Sequence, residues 1–200
     1  MIVKNIVYDW GGLNSLIFHE LNNSRSAMVE PLAIIGNLIG NYWGLPVLLG
    51  ILMMWAQVCA RKNNGMASQL RVQVGRLIIG FAVAWLCVGL LKVGFDFPRP
   101  LTVFGSLIQV IGEPEIRYSL PSGHSAYIAL VSMILWPLCP LALRSLLPGL
   151  ILWVGWSRIV SGAHFPADVL AGALIGLLSA RLANRLVKPL PWQLSKQSRE

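Results

Sequence analysis

An all-α, polytopic transmembrane bundle of five to six spanning helices, with an interfacial helix at the N-terminus, is the fold this sequence predicts. Three observations predict it. Of 200 residues, 56% are hydrophobic and only 12% charged, with mean hydropathy +0.65; a soluble domain carries about 25% charged residues. The apolar residues fall in runs close to the roughly 20 residues that one bilayer crossing needs. Most charges collect between those runs, where a chain re-enters water. The length suits one compact bundle, so residues 1–200 read as a single membrane-embedded domain.

Residues 1–28 carry Lys4, Asp9, His19, Glu20 and Arg25, with Glu30 just beyond. That charge density predicts an amphipathic helix lying in the interface rather than a crossing. No apolar core followed by a small-residue cleavage site is visible, so no removable signal peptide is expected. Glu30 and Arg61 enclose a charge-free stretch that is long for one crossing and short for two. Gly40-Asn41 can break a helix inside it. A short interfacial or half-inserted helix is therefore expected at 29–39, and the first crossing at 42–60. The second crossing spans 73–93, with Arg76 and Lys92 snorkelling at its ends. The third spans 122–140 and begins at a Ser-Gly turn. The fourth spans 142–160 and the fifth 166–187. Pro166 suits the first turn of the last helix, where its missing N–H is harmless. Residues 189–200 read as a flexible tail. Trp10, Trp43, Trp55, Trp136, Trp156 and Trp192 read as interface belts.

Lys and Arg number 16 against 8 Asp and Glu. In a soluble chain this balance would suggest nucleic acid. In a membrane chain it marks cytoplasmic loops, and no nucleic-acid partner is expected. Alternating crossings place Arg61, Lys62, Arg71, Arg76, Arg144, Arg181, Arg185, Lys188, Lys196 and Arg199 at one face. That face is cytoplasmic by the positive-inside rule, which turns the other face outward. Cys59, Cys87 and Cys139 form no close pair and read as packing residues, not as a disulfide or metal site. Neither a metal nor a cofactor is expected, and nothing in the sequence specifies an oligomeric state.

Three polar clusters interrupt the apolar chain: Lys92…Arg99-Pro100, Pro121-Ser122-Gly123-His124, and Ser157-Arg158…His164…Asp168. Ionisable groups next to lipid are costly and mark functional sites. Lys92 and Arg99 follow the second crossing, Ser122 to His124 open the third, Arg158 closes the fourth, and His164 to Asp168 open the fifth. An alternating bundle brings all of them to the outward face. Taken singly, each has an ordinary explanation. Lys92 and Arg158 could snorkel, Ser122-Gly123 could simply start a helix, His124 could be a hydrogen-bonded helix-end residue, and Asp168 could stabilise a helix dipole. Their shared face is what argues for a site. His19 and Arg117 read as surface residues, and Glu113 and Glu115 as parts of a solvated loop that could touch a headgroup.

Together the clusters hold the parts for gripping and splitting a phosphate ester. Displacement at phosphorus spreads charge over the equatorial oxygens, so positioned cations and N–H donors do most of the work. Arg99 and Arg158 offer planar forks and Lys92 a point charge. Ser122-Gly123 offers free N–H groups at a helix N-terminus, a natural phosphate site. One histidine can attack phosphorus to give a phosphohistidine, and the other can protonate the leaving oxygen. Asp168, four residues after His164, is placed to accept the His164 N–H and hold its tautomer. His124 has no such acid nearby, which suits a proton donor. The residues alone leave open which histidine attacks.

The spacing Lys92-x6-Arg99-Pro100, Pro121-Ser122-Gly123-His124 and Ser157-Arg158-x5-His164-x3-Asp168 resembles the tripartite signature of the type 2 phosphatidic acid phosphatase superfamily. That superfamily also includes bacterial acid phosphatases and vanadium haloperoxidases. The resemblance spans the catalytic motifs at 92–168 and extends through the flanking helices. It implies metal-independent hydrolysis of phosphate esters or diphosphates. It further implies His164 as nucleophile, Asp168 as its orienting partner and His124 as acid, with Lys92, Arg99, Ser122, Gly123 and Arg158 binding phosphate. Integral members usually have six crossings, whereas five plus an interfacial N-terminus are visible here. The short connection 101–120 leaves little protein for a headgroup-selective cap.

The expected function is that of a membrane lipid phosphatase acting through a phosphohistidine at the outer face of a bacterial inner membrane, with its substrate arriving sideways from the bilayer. Undecaprenyl pyrophosphate, phosphatidic acid and phosphatidylglycerophosphate are candidate substrates. The compact size and outward site favour the polyprenyl carrier. A lipid phosphotransferase would share the intermediate and differ only in acceptor. A non-catalytic phospholipid carrier would need no histidine pair and often shows paired, interrupted helices in two halves, a symmetry absent here.

Overall fold

The computed structural model describes residues 8–62 and 65–189. Lys4, Trp192, Lys196, Arg199 and nearly all of the expected flexible tail lie outside the described residues. Within them the chain is helical: α1 (Leu13–Asn23), α2 (Val29–Ile39), α3 (Leu45–Arg61), α4 (Met66–Phe95), α5 (Pro100–Phe104), α6 (Gly123–Leu135), α7 (Leu141–Arg144), α8 (Leu146–Val160) and α9 (Pro166–Leu186). Four described segments are long and apolar enough to cross a bilayer, carried by α3, α4, the α7–α8 pair and α9.

The expected third crossing is shorter than its sequence suggested. Helix α6 has 13 residues, about 20 Å of rise, and a single 3₁₀ turn continues it to Leu138. Pro137 sits in that turn and removes a main-chain donor. Helix α6 nevertheless traverses the bundle, because α4 ends and α8 ends at the same side. The second crossing is longer than expected. Its 30 residues rise about 45 Å, so the first turns of α4 extend beyond a hydrocarbon core of about 30 Å. Arg76 is spent there: its Nε donates to the Val187 carbonyl at the close of α9, at 3.0 Å. Such a guanidinium satisfies a terminal carbonyl and suits the negative end of the helix dipole.

Apolar attraction cannot hold helices together in lipid, because acyl chains are as apolar as leucine; close approach of small residues does. Helix α9 carries Gly172, Gly176 and Ala180 at four-residue spacing, and α6 packs on that stripe. A Cβ built on Gly176 would stand 2.1 Å from the Ala126 carbonyl oxygen. The half-inserted helix expected at 29–39 is present as α2, and it packs on α8 by the same device. A Cβ on Gly36 would meet Ser157 at 2.7 Å, and one on Gly40 would meet Val154 at 2.5 Å.

The N-terminal segment departs from a simple interfacial helix. The buried face of α1 is Asn14, Phe18 and Asn22, at four-residue spacing, and it docks on α8 and α9. Phe18 is fully buried and clusters with Ile108, Ile159 and Phe165. The helix therefore packs on protein through two asparagines and a phenylalanine, and hydropathy alone could not have told this from a polar surface.

Candidate active site

The three motifs converge at one end of the bundle. Lys92 lies in the last turn of α4 and Arg99 immediately precedes α5. Ser122 caps α6: its side chain accepts from the Ser125 N–H. Arg158 lies in the last turn of α8, and Asp168 in the first turn of α9. The Ser122 N–H donates to the Asp168 carbonyl at 2.9 Å, which joins the mouth of α6 to the start of α9; of the Ser122-Gly123 pair expected to offer free N–H groups, Ser122 has therefore already spent its own.

His164 sits in the loop between α8 and α9, 2% exposed. Its main-chain N–H is held by the Arg158 carbonyl at 3.2 Å. Its Nε2 lies 3.2 Å from Arg99 Nη1 and its Nδ1 lies 3.3 Å from Asp168 Oδ2. Arginine can only donate, so Nε2 carries the lone pair and Nδ1 the proton, which Asp168 accepts. Burial holds the imidazole pKa well below its ordinary value, with Arg99, Arg158, Lys92 and His124 adding to the effect. The ring is neutral, with an unprotonated nitrogen aimed at the cations.

Asp168 is fully buried and heavily solvated by the protein. Oδ2 accepts from the Ser119 hydroxyl at 2.5 Å and from the Phe165 N–H at 2.9 Å. Oδ1 accepts from the Tyr8 hydroxyl at 2.8 Å. Burial, followed by the Asp168 charge, raises the Tyr8 phenol far above its ordinary pKa, so Tyr8 remains a donor.

The cations are fixed as firmly. Arg99 Nε donates to the Arg117 carbonyl at 3.1 Å, and Nη1 also donates to the Ala163 carbonyl at 2.9 Å. Nη2 pairs with Glu115 at 2.6 Å, so one arm of the fork already holds a carboxylate. Arg158 Nη1 donates to Asn37 Oδ1 at 3.0 Å, while its buried Nε has no partner among the described residues. Asn37 also accepts from Ser157 and donates to Ser161, which ties α2 to the end of α8. Lys92 donates to the Tyr118 carbonyl. His124 and Arg158 line a cleft of about 340 Å³ together with Asn37, Glu113 and Glu115. Lys92 and Gly123 instead close the polar end of an apolar groove of about 230 Å³ between α4 and α6. All eight residues singled out in the sequence thus lie at one end of the bundle, His164 between Arg99 and Asp168, and His124 lining the same cleft as Arg158. Among the described residues, no three His, Cys, Asp or Glu side chains gather as a metal site.

Several site residues carried no sequence signal. Tyr8, Asn14 and Asn22 belong to the polar N-terminal segment. Asn14 accepts from the Ala167 N–H at 2.9 Å, and Asn22 donates to the Val160 carbonyl at 2.9 Å. Asn37 interrupts an apolar helix, and Ser119 lies just outside a motif; an isolated polar residue in an apolar run was the available hint for Asn37. Glu115, expected in a solvated loop, is half exposed yet reaches Arg99. Arg117 is a surface residue as expected, paired with Asp96.

The PAP2 superfamily profile matches residues 73–192. The bacitracin transport permease protein BcrC of Bacillus licheniformis is 31% identical over 118 residues, covering 55% of this chain and 53% of that protein. The chain thus spans about half the length of that curated relative. Among solved structures, LpxE of Aquifex aeolicus superposes with a TM-score of 0.73 at 26% identity, covering 86% of this chain and 95% of that one. The transmembrane PAP2 type phosphatidylglycerolphosphate phosphatase of Bacillus subtilis superposes with a TM-score of 0.69 over 90% of this chain and 86% of that one. Its 21% identity speaks for the fold alone.

Proposed function

The chain belongs to the PAP2 superfamily, and from that premise we propose that it is a bacterial membrane lipid phosphatase working through a phosphohistidine. The observation that carries the reading is the His164 ring held between Asp168 at Nδ1 and Arg99 at Nε2. When a lipid phosphate binds, its oxygens take the donors of Arg99, Arg158 and Lys92 and the N–H groups of Gly123 and His124 at the mouth of α6. Arg99 Nη1 turns from Nε2 to a phosphate oxygen, and the freed lone pair attacks phosphorus in line. The P–O bond to the leaving group breaks as His124, which takes up a proton when the phosphate anion enters among the cations, delivers that proton to the departing oxygen. The phosphorylated imidazole keeps its Nδ1 proton on Asp168, whose charge stabilises the cation. His124, now neutral, takes a proton from water. The resulting hydroxide attacks phosphorus, the P–N bond breaks, and inorganic phosphate leaves.

The three cations supply the positive charge that this displacement needs, and the proposal includes turnover without a divalent ion. The site faces outward because the opposite end carries Arg61, Lys62, Arg71, Arg144, Arg181 and Arg185. A diphosphate lipid of the polyprenyl class is the favoured substrate. The compact loop above the site, which leaves little protein to select a glycerol headgroup, supports that choice over phosphatidic acid or phosphatidylglycerophosphate. The whole chain acts as one domain, with its motifs at 92–168.

Phosphate release from undecaprenyl pyrophosphate in detergent with excess chelator tests the reading. Wild-type protein is expected to turn over, and His164→Ala to fall to background. Full turnover by His164→Ala would remove the proposed nucleophile.

A further inference from the structure

Helix α1 and the residues before it touch the catalytic loop three times, each time through a polar side chain. Asn22 holds the Val160 carbonyl before the loop, Asn14 holds the Ala167 N–H after it, and Tyr8 reaches the Asp168 carboxylate. These bonds bracket His164 on both sides. The Tyr8 ring is itself fixed, edge-on to Phe97 at 4.4 Å and to Phe165 at 6.0 Å between centroids. Asp9 anchors the other side of this arm by accepting from the Ser15 hydroxyl at 2.7 Å and from its N–H at 3.2 Å. A seated ring delivers its hydroxyl to one place, and that place is Asp168 Oδ1.

We infer that Tyr8 is a positioning residue for hydrolysis, acting through Asp168 to fix the tautomer and direction of the His164 ring. The inference rests on the phosphohistidine reading above. Asp168 has two oxygens to arrange. Oδ2 already takes Ser119, the Phe165 N–H and His164, so it has no free direction left. Oδ1 takes Tyr8, and that bond stops the carboxylate rotating about its Cβ–Cγ axis and carrying Oδ2 away from Nδ1. The tyrosine donates and stays protonated; it does not touch the phosphate. The N-terminal arm is thereby part of the catalytic apparatus, even though it contributes nothing to the three motifs.

The charged and titratable groups facing Asp168 are His164 from the loop, Arg99 and Lys92 from the α4–α5 junction, and Tyr8 from the arm. Asp9 in turn faces Tyr8. Removing the hydroxyl leaves the other groups in place and takes one donor from the ionised carboxylate. The acid limb of kcat/KM then moves to higher pH.

The test uses the full chain in detergent, with undecaprenyl pyrophosphate as substrate. Tyr8→Phe keeps the ring between Phe97 and Phe165 and removes only the hydroxyl. Its kcat is expected to fall about tenfold, the factor that one lost hydrogen bond to a charged group implies, with KM within about twofold of wild type. The position of the acid limb does not depend on how much of a sample is folded. Tyr8→Leu, which also loses the ring, is therefore expected to show the same limb shift. A Tyr8→Phe protein with wild-type kcat and an unmoved limb overturns the inference, as does a shift seen in Tyr8→Leu alone. If His164→Ala is inactive while Tyr8→Phe is normal, the inference falls and the phosphohistidine stands. If wild type itself is inert, both fall.

Discussion

Gly172 of α9 lies directly against the Ser122 main chain at the mouth of α6: a Cβ built on Gly172 would stand 2.2 Å from the Ser122 carbonyl oxygen. The same two segments are joined by the bond from the Ser122 N–H to the Asp168 carbonyl. The turn proposed to offer N–H groups to phosphate and the turn that carries the carboxylate beside His164 are thus one rigid piece. Its tightness comes from an absent side chain.

Gly172→Ala should therefore damage stability and activity together. The new methyl meets backbone, which cannot rotate away, so the helices must part or slide. Overpacking of this kind costs about 1–3 kcal/mol or more. The expected result is a lower Tm in detergent and a larger loss of kcat than the Tm change alone predicts. Gly149→Ala, in α8 with nothing within 4 Å of its Cβ position, is the control and should leave both unchanged. Equal behaviour of the two variants would show that the close approach does not matter.

The motif geometry was legible in the sequence for a simple reason. Lys92, Ser122, Arg158 and Asp168 each stand at a helix end, and apolar runs reveal helix ends. Alternation then forces those ends to one face. The half-helix α2 was legible because Gly40-Asn41 breaks a run too long for one crossing. The N-terminal arm was not legible. Tyr8 meets Asp168 across a separation of 160 residues, and Asn14 meets Ala167 across 153. Hydropathy sees Asn14 and Asn22 as water-seeking, whereas here unpaired main-chain groups of the catalytic loop take the place of water. The length of α6 was misjudged because hydropathy continues past Leu135 while the helix tightens into a 3₁₀ turn at Trp136-Pro137.

His164 should make the protein less stable as pH falls. In the native state, burial and then the Arg99 charge hold its pKa well below the ordinary value of about 6.5. Above that value both folded and unfolded imidazoles are neutral, and the group contributes no pH dependence. Below it the unfolded chain binds a proton that the native site refuses, so stability declines down to the depressed native pKa. The Tm of wild type in detergent should fall between pH 7 and pH 5, and fall less in His164→Gln. Identical slopes would mean that the native ring titrates normally.

Asn37 should control phosphate binding through Arg158. Its Oδ1 accepts from Arg158 Nη1 at 3.0 Å and from Ser157 at 3.1 Å. Asn37→Ala leaves buried donors unpaired, at a cost of about 1–3 kcal/mol, and lets the guanidinium swing. Asn37→Asp keeps the shape and the acceptor but places a negative charge on the cation that phosphate needs. Asn37→Asp should therefore raise KM more than Asn37→Ala while retaining the higher Tm. A lower KM in Asn37→Asp would argue that Arg158 does not bind the substrate anion.

The outward orientation we propose rests on where the remaining cations sit, and it can be tested without any substrate. Arg61 ends α3, Arg71 lies in the first turns of α4, Arg144 ends α7, and Arg181 and Arg185 lie near the end of α9. Each of these positions lies away from the end that holds His164. Asp96, Glu113, Glu115 and Asp168 lie at the His164 end and offset its cations Lys92, Arg99, Arg117 and Arg158, whereas among the described residues no Asp or Glu lies with the cations of the other end. Basic loops are retained on the cytoplasmic side. The described cysteines Cys59, Cys87 and Cys139 are free thiols and would be replaced by alanine first. In intact cells, a membrane-impermeant maleimide should then label Glu113→Cys, beside the cleft. Lys62→Cys, at the basic end, should label only after the membrane is opened. The reverse pattern would turn the site toward the cytoplasm and require that lipid phosphates reach it from the inner leaflet.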